Sequence, residues 1–285
     1  MTFKAAAIQM CSGVDPQRNA ETVARLVREA AAQGAIYVQT PEMTGALQRD
    51  RAALRAILRD EANDIIARQA AELAAELRVH VHVGSTPIAL ADGKIANRGL
   101  LFGPDGGKIC HYDKIHMFDV DLDNGESWRE SAAYQPGSVA HVADLDLGKL
   151  GFTICYDVRF PELFRQQAVA GAEIMSVPAA FTRQTGEAHW EILLRARAIE
   201  NGVFVIAAAQ GGVHEDGRET FGHSMIIDPW GRVLASAGPT GEAVVLADID
   251  VAAVHAVRAK IPNLKNARSF ALDEVAATGK GGVAA

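Results

Sequence analysis

The chain has 285 residues, 49% hydrophobic and 22% charged, enough core for one large globular domain or two small ones and a composition that excludes disorder. Its 35 acidic against 28 basic residues give a formal net charge of −7 with no Lys/Arg-rich run, which excludes a phosphate-binding face for nucleic acid and favours small-molecule chemistry. The opening "MTFKAAAIQM" lacks the apolar core of a signal peptide, and no apolar run approaches the ~20 residues needed to span a bilayer, so a soluble cytoplasmic protein is expected.

Taken in chain order, short apolar strands alternate with helices. Phe3 to Met10 reads as a strand, Asp15-Pro16 as a cap and first turn, and the helix that follows runs to about Gln33 before Gly34 ends it. Strand "AIYVQT" delivers "PEMTG". One helical region is expected over roughly Arg51 to Leu77, then strand-like "VHVHVGS" and "ANRGLLFGPDGGKICHYDK", with a hairpin turn at Pro104-Asp105-Gly106-Gly107. Asp119 to Gln135 reads as a polar loop. Strands are expected near Val139 to Ala143 and Gly151 to Ile154, a helix over Glu162 to Ala170, a strand at "AEIMSVP", a helix over Glu187 to Asn201 and a strand at "VFVIAAAQ". A hairpin about Asp228 to Gly231 follows. No linker or repeat divides residues 1–275, so the expectation is one α/β domain with a mixed sheet, and 276–285 reads as a mobile tail.

Three residues stand where a strand gives way to a turn: Glu42 after "YVQTP", Lys114 in "CHYDKIHMFD" and Cys155 in "GFTICYDVRF". Taken alone, Cys155 is either a small buried hydrophobe or an exposed nucleophile on a rigid scaffold. A sheet that gathers these strand ends would bring a carboxylate, an ammonium and a thiol together. A thiol of pKa ~8.5 is mostly protonated at neutral pH, so attack on a carbonyl needs a base or a cation beside it. Glu42 suits the first role and Lys114 the second. The negative charge that grows on the carbonyl oxygen would be met by Lys114 and a backbone N–H at the turn, most simply that of Tyr156. Cys11 and Cys110 border apolar strands and read as packing residues; three cysteines without CxxC spacing give neither a disulfide framework nor a zinc knuckle. His80, His82, His111 and His116 lack an accompanying set with ligand spacing, so no metal is expected.

"PEMTG", "YDKIHMFDVD" and "GFTICYDVRFPELFR", in that order, resemble the three catalytic signatures of the nitrilase superfamily of carbon-nitrogen hydrolases. The resemblance extends from "KAAAIQM" through "GHSMIIDPWGRVLASAG" to "IPNLKNAR". It implies an α-β-β-α sandwich, no metal or organic cofactor, and at least a homodimer. By position, Glu42 resembles the general base, Lys114 the cation that stabilises the tetrahedral intermediate, Cys155 the nucleophile, and Glu130 in "ESAAYQPG" the additional glutamate beside the lysine. Within the superfamily, "AFTRQTGEAHWEILLRARAIENGVFVIAAAQGG" and "GHSMIIDPWG" resemble the branch that hydrolyses deaminated glutathione, with omega-amidases next to it. The expected reaction is cysteine-dependent hydrolysis of a carboxamide on a small acidic compound, through an acyl-thioester and with release of ammonia. N-carbamoyl amino acid hydrolysis, nitrile hydrolysis and a non-catalytic binding module are the alternatives. An acidic substrate wants a local cation, and Arg183 after "VPAAF" is either that anchor or a solvated surface residue.

Overall fold

The protein is described here by a computed structural model covering residues 2–122, 125 and 127–275. The expected tail at 276–285 lies outside the described residues. The elements run β1 (Thr2–Gln9), α1 (Pro16–Ala32), β2 (Tyr37–Gln39), α2 (Arg51–Ile57), α3 (Ile65–Leu77), β3 (His80–Ala89), β4 (Ile95–Phe102) and β5 (Lys108–Asp113). They continue with β6 (Asp119–Asp121), β7 (Ser127–Arg129), β8 (Val142–Leu145), β9 (Gly148–Phe152), α4 (Pro161–Val169), β10 (Ile174–Ser176) and α5 (Arg183–Asn201). The remainder comprises β11 (Phe204–Ala207), β12 (Gly211–Val213), β13 (Glu219–Phe221), β14 (Met225–Ile227), β15 (Val233–Ser236), β16 (Ala243–Asp250), α6 (Val251–Lys260) and α7 (Asn263–Asn266).

Two six-stranded sheets carry the fold, in the orders β16-β1-β2-β3-β4-β5 and β15-β14-β11-β10-β9-β8. The alternation of a strand's side chains decides what each face buries. On β1, Ala6, Ile8 and Met10 pack with Val23, Val27, Ile66 and Leu73 of α1 and α3, whereas Phe3, Ala5 and Ala7 join the core shared with the second sheet, α4 and α5. The result is the expected α-β-β-α sandwich. Polar groups also bridge the two sheets: Gln39 Nε2 on β2 donates to the Ile206 carbonyl on β11 at 3.0 Å.

β1, β2 and β3 run parallel, as do β9, β10 and β11. Loops leaving the carboxyl ends of such strands are where open α/β sheets collect ligand-binding residues. Glu42, Cys155 and the segment around Ala180 leave β2, β9 and β10 at those ends.

The structure departs from expectation in five places. The helical region over 51–77 is two helices, because Asp64 caps a fresh start, its carboxylate accepting from Ala67 N at 2.9 Å. The polar stretch at 119–135 contains the β6–β7 ladder, Val120 opposite Trp128, and a 3-10 turn at Glu130–Ala132. α5 starts four residues earlier than expected, at Arg183. β16, which pairs with β1 along its whole length, was not read from the sequence, and neither was the β12–β13 hairpin.

Candidate active site

Glu42 sits in a turn held by an irregularity in β3. The register of β3 against β4 shifts between Val83 and Thr86, which frees Ser85 to serve the turn. Ser85 N donates to the Pro41 carbonyl at 3.1 Å, Met43 N donates to Ser85 Oγ at 3.0 Å, and Thr44 N donates to the Ser85 carbonyl at 2.8 Å. Gly84 permits this approach, since a Cβ there would stand 2.1 Å from the Thr40 carbonyl oxygen and 2.3 Å from Pro178 Cβ. Lys114 follows β5, its amide donating to the Asn97 carbonyl at 3.0 Å.

Cys155 opens a 3-10 turn, Cys155–Arg159, just beyond β9. Its φ is +50°, the left-handed region, and its amide donates to the Pro178 carbonyl at 2.8 Å. Asp157, buried, ties this turn to the segment that carries Lys114. One carboxylate oxygen accepts from Ile154 N at 2.8 Å and Tyr112 OH at 2.7 Å. The other accepts from His116 N at 3.0 Å and lies 2.7 Å from His116 Nδ1.

Glu42, Lys114, Cys155 and Glu130, all singled out in the sequence, line one cavity of about 230 Å³. Lys114 Nζ lies 2.9 Å from Glu42 Oε1 and 3.1 and 2.9 Å from the two oxygens of Glu130. Its side chain is 2% exposed, so these ion pairs are shielded from water. The Cys155 thiol is buried beside them, close enough to feel the charges of both Glu42 and Lys114. Ala180 N donates to Glu42 Oε2 at 2.8 Å, and Phe118 N to Glu130 Oε2 at 2.7 Å.

Burial alone would raise the Glu42 pKa, but Lys114, the neighbouring Cys155 thiol and the Asn97 hydrogen bond outweigh it and hold the carboxylate below its usual range. For Lys114, burial pushes down, and Glu130 and Glu42 overcome it and hold the ammonium well above its ordinary value. Burial and the neighbouring Glu42 push the Cys155 thiol well up against the opposing pull of Lys114. The resting charge state is therefore carboxylate, ammonium and neutral thiol.

Tyr156 also lines the cavity, and its amide belongs to the first turn of the 3-10 segment, where an N–H has no partner within the turn. Arg183 is not brought to the cavity: its side chain is 67% exposed at the start of α5 and pairs with Glu187 and Glu219 at 3.2 and 3.4 Å. The longer α5 explains this, because Arg183 becomes the first residue of a solvent-facing turn. The arginines that line the cavity are Arg49, Arg51, Arg129 and Arg218. Sequence reasoning also missed Asn97, whose Nδ2 donates to Glu42 Oε1 at 2.9 Å and to Glu130 Oε1 at 3.1 Å. An asparagine inside the apolar strand "IANRGLLF" was the available signal, since a buried amide must find partners. Among the described residues no cluster of three or more His, Cys, Asp or Glu side chains could hold a metal ion.

A thiol, a carboxylate and an ammonium gathered at the strand ends of a four-layer sandwich define a hydrolase of carbon–nitrogen bonds. Residues 4–259 match the carbon-nitrogen hydrolase family, and the chain belongs to it. It is 40% identical over 266 residues to the deaminated glutathione amidase of Yersinia enterocolitica, covering 92% of each chain. It also resembles the C. elegans NitFhit protein at 32% identity and a TM-score of 0.86, covering 94% of this chain and 65% of that longer one. A third similar structure is a mutant of the amidase from Nesterenkonia sp. AN1 (25% identity, TM-score 0.76, 91% of this chain and 98% of that one), which shows Michael addition of acrylamide at the active site cysteine.

Proposed function

We propose that the protein is a cysteine-dependent amidase for small acidic amides, with residues 1–275 working as one domain, Cys155 as nucleophile, Glu42 as general base, Lys114 as the cation facing the oxyanion and Glu130 as the group that fixes Lys114. The observation that carries the reading is a buried thiol, Cys155, lining the same cavity as Glu42 and a lysine whose Nζ lies 2.9 Å from the Glu42 carboxylate. Because the thiol is neutral at rest, its proton passes to Glu42 as sulfur attacks the amide carbon. The carbonyl oxygen gains negative charge between Lys114 Nζ and the Tyr156 amide. Collapse of the tetrahedral species breaks the C–N bond, the nitrogen leaves with the proton held by Glu42, and an acyl-thioester remains. Water then gives a proton to Glu42 and its oxygen to the acyl carbon, and the thiolate leaves and recovers that proton.

Deaminated glutathione and 2-oxo acid omega-amides are the substrate classes we assign. Their leaving groups differ: an omega-amide releases ammonia, whereas deaminated glutathione has only secondary amides and releases an amine. The test is a panel of deaminated glutathione, 2-oxoglutaramate, N-carbamoyl amino acids and simple nitriles, followed by amine and ammonia release, with Cys155→Ala run in parallel. Turnover of the first two that vanishes in the variant is the expected result. Normal turnover by a folded Cys155→Ala protein would overturn the mechanism. Exposed Ile192 and Ile199 on α5 and Trp230 after β14 support the reading as a homo-oligomer, testable by light scattering.

A further inference from the structure

The reacting end of the cavity carries two carboxylates, Glu42 and Glu130, against one ammonium, Lys114. An acidic amide approaching it is repelled unless cations meet the substrate's own carboxylate elsewhere in the cavity. The cavity walls supply them. Arg218, immediately before β13, and Arg49 both stack on the indole of Trp128, their guanidinium carbons 4.6 and 4.9 Å from the ring centroid. Stacking occupies the flat face of a guanidinium and leaves its in-plane N–H donors, the fork that matches a carboxylate, available.

Among the described residues neither cation is held by a close ion pair; Arg218 has one long one. Among the described residues Arg49 forms no ion pair. Arg218 is 18% exposed, its Nε is buried without a hydrogen-bond partner, and the nearest carboxylate oxygen, Asp216 Oδ2, is 3.9 Å from Nη2 and itself has no hydrogen bond. The neighbouring Arg129 is different: Asp121 holds it with two contacts of 2.9 Å. Arg218 lines the same cavity as Glu42, Lys114, Glu130 and Cys155. We propose that Arg218 and Arg49, held on Trp128, form the carboxylate-binding end of the substrate site and make the enzyme prefer amides that carry a carboxylate remote from the scissile carbonyl. The proposal rests on the amidase reading above.

The test compares kcat/KM for 2-oxoglutaramate with that for the neutral pentanamide in the native protein, Arg218→Gln, Arg218→Lys and Arg49→Gln. Charge-assisted bonds of this kind set the expectation: the acidic-over-neutral ratio falls about 10- to 100-fold in Arg218→Gln, mostly through KM, and Arg218→Lys restores part of it. Arg49, whose exposed side chain can be replaced without disturbing the core, supplies a smaller fall in the same direction. An unchanged ratio in both glutamine variants overturns the proposal. Calorimetric titration of glutarate separates its failure from that of the amidase reading. If the native protein hydrolyses neither amide, the amidase reading fails, while glutarate binding that weakens at least 10-fold in Arg218→Gln still supports the anchor and equal binding refutes it.

Discussion

Replacing Asp157 by Asn would test whether the geometry between Cys155 and Lys114 is set by a single buried carboxylate. The native side chain receives hydrogen bonds from Ile154 N, Tyr112 OH, His116 N and the His116 ring. An amide has only one acceptor oxygen. Its least costly orientation keeps that oxygen toward His116 and turns the NH2 group toward Tyr112, whose hydroxyl rotates to accept. The Ile154 N–H then faces a donor and is stranded in a buried site. One orphaned donor costs about 1–3 kcal/mol, and loss of charge in the surviving bonds brings the total to about 2–4 kcal/mol. Ile154 is bonded directly to Cys155, so the same displacement moves the sulfur relative to Lys114, and a misplacement near 1 Å lowers the rate about 100-fold. Urea denaturation would measure the first effect and kcat at saturating substrate the second. Native stability together with native kcat would refute the reasoning. A loss of stability with kcat unchanged would confine Asp157 to the packing of the turn.

Gly84→Ala should cost about 3 kcal/mol and most of the activity, because its Cβ would meet the Thr40 and Pro41 carbonyls and Pro178, groups that carry Glu42 and receive the Cys155 amide; thermal melting and kcat/KM check it. Lys114→Met should lower kcat far more than it raises KM if the ammonium has its proposed role against charge that develops during reaction, and single-turnover kinetics would read the acylation step. Burial lowers the His82 pKa to about 3 from 6.5. Below pH 6.5 the unfolded chain takes up the proton that the folded chain refuses, so stability falls by about 1.4 kcal/mol per pH unit until the folded pKa is reached. Urea midpoints between pH 7 and 5 should show this slope, and a His82→Gln protein should show a shallower one.

The site was more legible than the frame around it, for a local reason. Glu42, Lys114 and Cys155 each follow an apolar strand, so a strand-end rule and the resemblance of three short motifs converge on them. Arg218 had no such marker. It precedes β13, a strand of three residues, and a segment so short has no period to read; its place beside Trp128 is a tertiary outcome. Arg183 was attractive because it followed a strand by a few residues, but helix propagation through "TRQTGEAHW" carried it to the surface. β16 shows the same limit. "AVVLADID" is strand-like, but only its pairing with β1 makes it part of the sheet that positions Glu42.

The left-handed backbone at Cys155, φ +50°, reverses an ordinary rule of protein engineering. Glycine normally yields a less stable chain than alanine because it gives up more freedom on folding. At this position any side chain presses Cβ toward the following carbonyl, a strain of roughly 1–2 kcal/mol that glycine does not feel. Two inactive proteins that both lack the sulfur, Cys155→Gly and Cys155→Ala, should thus rank in the opposite sense, the glycine form being the more durable. The perch of the proposed nucleophile is one that a chain selected for durability alone would fill with glycine, and the interval between those two variants is the amount of stability that a side chain at position 155 forgoes.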